Sequence, residues 1–471
     1  MGQEISQAAF TEEDFERFAS RLNAETDQLE EWFASARFAT AEPTVGFELE
    51  TWLVDPQMQP APKAETLLAG LDDPLVVAEL ARFNVEINGA PVPLRGASLT
   101  RLAEALTRTL ERCNRVAAGL GTRLMMIGIL PTVLPEHLTL EAMTPRLRYQ
   151  ALNQRIFSLR RGLPLGLVID GHERLELTRH DVMLEAAATS FQIHLRVTPE
   201  TAARVYNASK IISGLMVAIS ANSPYLFGRD LWSETRIPLF EQAVSIGGPI
   251  LQERVNFGFR YAECSIMETF RANLDRYPIL LPARLEDATH SLPHLRLHNG
   301  TIWRWNRPLL GFDPDGRAHL RIEHRVLPAG PTVVDMVANA ALYLGAVSDL
   351  AQQDEPPERR IPFAQSRVAF YRCARDGLDA EIQWLDGHQQ PVVQILREDL
   401  VPRAARGLRR LGVDPAEAQY WLGIIAGRVR NERTGSSWQR QWVAQHRRDL
   451  SDLTAAYLER QRRGTPVHEW V

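Results

Sequence analysis

The sequence predicts an α+β fold in which a largely antiparallel sheet packs one face on helices and keeps the other face polar. Three observations carry this. Segments 44–55, 81–88, 191–197 and 318–327 alternate apolar and polar residues with period two. The string Asp313-Pro-Asp-Gly316 is a hairpin signal joining two of the expected strands. Long amphipathic stretches at 98–120 and 199–221 separate the others, as helical excursions from a sheet.

In chain order, residues 11–37 read as a helix capped by Thr11, with Glu13 and Asp14 in its first turn; Pro43 ends that region. The run Thr44–Asp55 is a strand, the PQMQPAPKAE stretch a loop, and residues 81–88 a second strand. Helix 98–120 ends near Gly119 and Gly121, and Leu124–Leu130 reads as a buried strand closed by Pro131. FQIHLRV at 191–197 is a strand, followed by a helix at 199–221. Further strands are expected at 257–268, 300–307 and 318–327, and Pro331 opens a helix over 332–352. The remainder is mostly helical and arginine-rich. The expected organisation is an N-terminal helical segment (1–40), a catalytic domain (41–350) and a C-terminal helical region packed on it (351–471).

Composition narrows the function. The 471 residues are 45% hydrophobic and 24% charged, a globular balance, and the length allows about three domains or one large one. A net charge of −5 without a basic tail argues against a nucleic-acid partner. The longest apolar stretch, near Ile211–Ala221, is about half a bilayer span, and the N-terminus is acidic and amphipathic, so neither a membrane nor a leader is expected. Cys113, Cys264 and Cys373 form no CxxC pair or disulfide framework, which suits the cytoplasm. Of the 53 basic residues only Lys63 and Lys210 are lysines. Neither follows a GxxxxG loop, so a Walker-type loop is excluded and anion recognition falls to arginine.

The alternation places side chains. Val45, Phe47 and Leu49 share one strand face, and Gly46, Glu48 and Glu50 the other. On later strands Glu86, then Gln192, His194 and Arg196, then Arg321, Glu323 and Arg325 fall on polar faces. Glu48 and Glu50, about 7 Å apart, either form a solvated sheet face or hold a hard cation such as Mg²⁺. His194 is either a satisfied core histidine or, with Gln192, a contact to phosphate or metal. The arginine–glutamate–arginine triplet is either a self-neutralising strand or a metal ligand flanked by two anion grips. Trp303 and Trp305 read as core or cleft wall, with Arg304 and Arg307 equally open. No HExxH, paired-cysteine or GxSxG pattern is present, which leaves metal-and-arginine chemistry without a protein nucleophile.

The ordered strings VGFELE, RFNVEING, SFQIHLRV, NSPYLFGRDLWSETR, HNGTIWRWNRP and HLRIEHRVLPAGPTVVD resemble the bacterial glutamate–cysteine ligase family over roughly residues 43–350, and more weakly through RTGSSWQRQW at 433–442. The resemblance implies a glutamine-synthetase-like catalytic domain with a curved antiparallel sheet and a metal-binding face. It implies ATP-dependent amide formation: a glutamate carboxylate takes the γ-phosphate and the amine of cysteine, or of another acceptor, displaces phosphate, as in glutathione biosynthesis. By the same resemblance Glu48, Glu50, Glu86 and Glu323 hold Mg²⁺, His194 is the catalytic histidine near the metal and phosphates, and Arg325 acts at the transferred phosphate or the glutamate carboxylate. Arg321, Arg307 and Gln192 are looser matches, assigned to nucleotide binding. The alternative is a non-catalytic nucleotide- or amino-acid-binding relative; the intact acid set favours an enzyme acting on small molecules, with a homo-oligomer left open.

Overall fold

The computed structural model describes residues 4–35, 37–39, 42–285 and 289–471. The first helix runs Glu12–Ala34 and starts where its capping box dictates. The Thr11 hydroxyl accepts the Asp14 N–H at 3.3 Å, and the Asp14 carboxylate accepts the Thr11 N–H at 3.0 Å. It ends before the expected residue 37; residue 36 and the expected boundary at 40–41 lie outside the described residues. Phe18, Leu22, Leu29 and Trp32 pack its inner face.

The strands are β1 (Thr44–Val54), β2 (Val76–Ala78), β3 (Asn84–Asn88), β4 (Val92–Pro93), β5 (Arg123–Met125), β6 (Leu165–Asp170), β7 (Arg174–Arg179), β8 (Phe191–Val197), β9 (Tyr225–Leu226), β10 (Arg229–Asp230), β11 (Asn306–Phe312), β12 (Ala318–His324), β13 (Glu381–Gln383) and β14 (Gln389–Pro391). Eight build the main sheet in the order β11-β12-β8-β1-β3-β2, with β4 and β5 pairing the two ends of β1. Every pairing between these strands is antiparallel, and the sheet curls into a half-barrel. The long β1 is central because it is paired along both edges. The Asp313–Gly316 turn joins β11 to β12 as expected.

One face of the sheet is apolar. Phe47 meets Phe191 at 5.6 Å between ring centres, and His324 stacks on Tyr343 at 4.1 Å. Tyr343 belongs to helix Val333–Ala351, which with helix Pro199–Ser220 covers this face. Val333–Ala351 is the one helix among the described residues long and apolar enough to cross a membrane, but 89% of its apolar window is buried inside the molecule. Helices Phe363–Asp376, Val401–Arg410 and Pro415–Asn431 pack outside these two. Farther along, the strings at 222–236 and 433–442 meet each other. The Ser223 N–H donates to Ser436 Oγ at 3.2 Å and Gln439 Nε2 to Asn222 Oδ1 at 3.1 Å. Gly435 is required there, since a Cβ would lie 1.9 Å from Asn222 Oδ1.

Several expected strands are shorter or absent. At 257–268 there is no strand. The backbone is satisfied by side chains instead of a ladder: the Gly258 N–H donates to Asn256 Oδ1 at 2.7 Å and the Ala262 N–H to Asn207 Oδ1 at 2.9 Å. Phe257 packs on Phe370, 4.8 Å away, so the alternation reported packing onto a helix. At 300–307 only Asn306 and Arg307 are in a strand, because helix Pro293–Gly300 precedes them and the N–H groups of Trp303 and Trp305 bond the carbonyls of Arg254 and Asn256. The 124–130 strand stops at Met125, where Gln461 Oε1 takes the next N–H at 3.0 Å. The 81–88 ladder begins at Asn84, and the last strand ends at His324 rather than 327. The β6–β7 hairpin was not expected from the sequence.

Candidate active site

Register assembles the polar face. Glu50 sits opposite Glu86 across β1 and β3; Glu48 lies between Asn88 and Gln192; Glu323 lies between His194 and Arg307; Arg321 pairs Arg196. Five strands thus bring Glu48, Glu50, Glu86, Gln192, His194, Arg307, Arg321 and Glu323 to one surface, and Arg325 follows just past the end of β12. A cavity of about 240 Å³ opens over it. All of these residues except His194 line it, joined by Glu79, Glu185, Arg148, Arg296, Tyr149 and Trp303.

The four glutamates expected to share one metal divide between two groups. Glu48, Glu323 and His194 offer ligand atoms within 4.8 Å of one another, and so do Glu50, Glu79 and Glu86. The division follows from Glu323 sitting three strands from Glu86 and from the guanidinium beside it. Arg307 grips Glu323 through Nε and Nη2, each 2.9 Å from a carboxylate oxygen, while Arg325 Nη1 reaches Glu323 Oε2 at 3.2 Å. Burial would raise the Glu323 carboxyl, but Arg307, Arg325 and His194 hold it down to about 2. The buried His194 Nε2 lies 3.3 Å from Glu48 Oε1 and 3.8 Å from Glu323 Oε1. Burial raises Glu48 too, and the His194 imidazole outweighs it, leaving Glu48 well below its usual range.

The second group is charged differently. Burial, then the negative charge of Glu48 and Glu50, pushes Glu86 up to about 7. Glu79 is raised well above 4.5 by burial and by Glu86 and Glu50. Glu50 accepts the Ser190 N–H at 2.7 Å, the Ser190 hydroxyl at 3.0 Å and Gln192 Nε2 at 3.0 Å. Crowded carboxylates protonate where no cation compensates them, so this all-oxygen group fits a hard divalent ion such as Mg²⁺. The His194 Nε2, aimed at Glu48 and Glu323 with ligand atoms of all three within 4.8 Å, can offer its lone pair to a metal, which fits a ligand role for the first group as well.

The remaining expected residues are placed as follows. Gln192 is used inside the protein: its amide donates to Glu50 and its carbonyl accepts from Arg325. Arg307 spends further donors on the carbonyls of Gly300 and Ile302. Arg321 has a buried Nε without an acceptor and lines the cavity, which leaves it able to grip an anion. Trp303 is at the cavity wall, whereas Trp305 is fully buried with its indole N–H on Glu241 Oε1 at 2.8 Å. Neither lysine lines the cavity.

Sequence reasoning missed Glu79, Glu185, Arg148 and Arg236. Glu79 follows a three-residue strand and Glu185 sits in a short 3-10 turn, so periodicity marks neither. Arg236 had a signal, as the last residue of the 222–236 string. Its guanidinium pairs with Glu234 at 3.2 Å and donates to the carbonyls of Arg325 and Val326, fixing the backbone just beyond β12.

Sequence comparison decides the family. The sequence model of glutamate–cysteine ligase family 2 matches residues 44–456, which include every strand of the main sheet. The chain belongs to that family. It is accordingly a carboxylate–amine ligase. Among curated relatives, "Putative glutamate--cysteine ligase 2-3" of Rubrobacter xylanophilus is 25% identical over 87% of this chain and 94% of its own length. The protein of the same name from Mycolicibacterium smegmatis is 27% identical over 87% and 96%. Among solved structures, the glutamate–cysteine ligase of Francisella tularensis in complex with AMP aligns over 90% of both chains at TM-score 0.56 and 11% identity. A bifunctional glutathione synthetase from Pasteurella multocida aligns at TM-score 0.53 and 11% identity, over 94% of this chain and 55% of that one. At such identities the two structures share the fold with this family member.

Proposed function

We propose that this protein joins the side-chain carboxylate of L-glutamate to the amine of L-cysteine at the expense of ATP, with Mg²⁺. The observation that carries the reading is the sheet register. It sets two acid groups side by side beneath a cavity whose wall also presents Arg321 and Arg325. Glu50, Glu79 and Glu86, with Glu48 and His194 beside them, would hold the metal, which when bound neutralises phosphate charge.

The chain's own residues supply positioning and charge. Arg325, held by Gln192 and Glu323, presents a fixed guanidinium to the transferred phosphoryl group. Arg321 grips a phosphate or the substrate carboxylate. A glutamate carboxylate oxygen attacks the γ-phosphorus, the bond to the bridging oxygen breaks, and ADP leaves. The amine nitrogen then attacks the acyl carbon of the acyl phosphate, phosphate leaves, and the nitrogen releases its proton. Glu185, which lines the cavity and is pushed up to about 7 by burial, suits the role of taking a proton from an acceptor that arrives as an ammonium ion, freeing its nitrogen to attack. No side chain is required as a nucleophile.

The test is release of ADP and phosphate from Mg-ATP with L-glutamate, with and without L-cysteine, followed by a screen of other amines. Positional isotope exchange in ATP with glutamate alone is expected. Recovery of AMP, or trapping of a phosphorylated or adenylylated residue of the protein, contradicts the reading. Phosphate release with another amine but not cysteine reassigns the acceptor.

A further inference from the structure

Outside the catalytic cavity, three cations are buried without a carboxylate. Lys210, 0% exposed, donates to the Phe257 carbonyl and faces the rings of Tyr206 at 4.6 Å, Phe257 at 5.0 Å and Phe363 at 5.6 Å. Arg254, 0% exposed, donates to the Thr301 carbonyl and hydroxyl at 3.2 Å and to the Pro278 carbonyl. Arg304, 4% exposed, stands over the Tyr277 ring at 5.4 Å and donates to the hydroxyls of Tyr277, at 3.5 Å, and Tyr206, while its buried Nε has no acceptor. Among the described residues none of the three forms an ion pair with Asp or Glu.

A second cavity, about 30 Å³, opens against Arg304 and is also walled by Tyr206, Thr269, Arg260 and Arg276. It shares no lining residue with the catalytic cavity. Its one carboxylate among the described residues, Glu268, is already engaged. It accepts the N–H groups of Glu263, Cys264 and Ser265 at 3.1, 2.7 and 3.0 Å and the Arg260 guanidinium at 3.1 Å. The partners of Arg304 are phenol oxygens, Tyr277 and Tyr206, rather than a carboxylate. The space is a few times the roughly 10–15 Å³ that one water needs, enough for a small ion.

We propose that this cavity is an anion site, taking chloride or one edge of inorganic phosphate against Arg304 and Arg276. An anion offers the Arg304 guanidinium a charged acceptor in place of neutral phenol oxygens, and such an acceptor makes the stronger hydrogen bond. The site also bears on the ligase cavity. Arg304 lies between Trp303, in the catalytic wall, and Arg307, which grips Glu323, so the anion braces that segment.

The test follows the melting temperature and calorimetric binding in sodium gluconate at fixed ionic strength. Chloride and phosphate are titrated in separate arms against wild type, Arg304→Gln, Arg276→Gln and Arg321→Gln. A saturable rise in melting temperature is expected in at least one arm, which identifies the anion. Affinity should fall at least about tenfold in Arg304→Gln, the cost of one charge-assisted contact, and by a smaller factor in Arg276→Gln. If Arg304→Gln does not fold, Arg276→Gln and Thr269→Val decide. No response beyond gluconate overturns the proposal. So does a response that persists unchanged in the Arg304 and Arg276 variants but vanishes in Arg321→Gln, since it then belongs to the catalytic cavity.

Discussion

Replacing Arg307 by glutamine should destabilise the protein by up to about 3 kcal/mol at pH 7, because it strips the bidentate partner from Glu323, which is only 1% exposed. The magnitude follows from linkage. The Glu323 carboxyl lies at about 2 in the folded protein against an ordinary 4.5. That difference is worth about 3 kcal/mol at neutral pH and is shared among Arg307, the largest of its cationic causes, Arg325 and His194, while breaking a buried pair typically costs about 3–5 kcal/mol. The sign is that of a depressed acid: the stabilisation is complete above about 4.5 and lost as pH falls through about 2. Urea unfolding of wild type, Arg307→Gln, Glu323→Gln and the double variant gives the coupling, and repeating it between pH 7 and pH 3 gives the acid dependence. The double variant should recover about half of the loss, since no unpaired charge then remains buried. Wild type should lose more stability on acidification than Arg307→Gln. A single Arg307→Gln variant within about 1 kcal/mol of wild type, or a double variant worse than the sum of the singles, would refute the reasoning.

Three further outcomes are expected. Chelation of divalent metal should abolish ADP release, and Glu50→Ala should nearly do so without unfolding the protein, because it removes one of three crowded carboxylates; full activity in excess chelator contradicts this. Below pH 7 Mg²⁺ should bind more weakly and expel protons, because Glu86 at about 7 and Glu79, raised by burial and by its neighbouring carboxylates, must ionise first; calorimetry in two buffers of different ionisation enthalpy measures it. Arg325→Lys should lose at least about tenfold in kcat/KM, roughly 1.4 kcal/mol, because an ammonium cannot reproduce the bridge to Gln192 and Glu323 together with a phosphate contact; steady-state kinetics with unchanged kcat/KM overturns it.

The site was legible in the sequence to the extent that it is built by period two. In a strand the face of a side chain is fixed by parity alone, so Glu48, Glu50, Glu86, Gln192, His194 and Glu323 were assigned to polar faces from spacing, and antiparallel register then brought those faces together. Parity does not say which acids share a ligand. That depends on strand order, and β8 lies between β1 and β12, so Glu323 joins His194 and Glu48 while Glu50 turns toward Glu86. Nor does parity reach Glu79 and Glu185, which are set by a loop and a 3-10 turn. Where alternation misled, at 257–268, the apolar positions are real but are buried against helices, and Asn207, Asn256 and Glu268 satisfy the backbone that a ladder would have taken. Side-chain caps at that spacing leave the same hydropathy trace as a strand. Their polar partners lie far away in sequence, as Asn207 does from Ala262, so no local pattern distinguishes the two. That loop also walls the cavity beside Arg304, so the most misleading stretch of the sequence forms part of the proposed anion site.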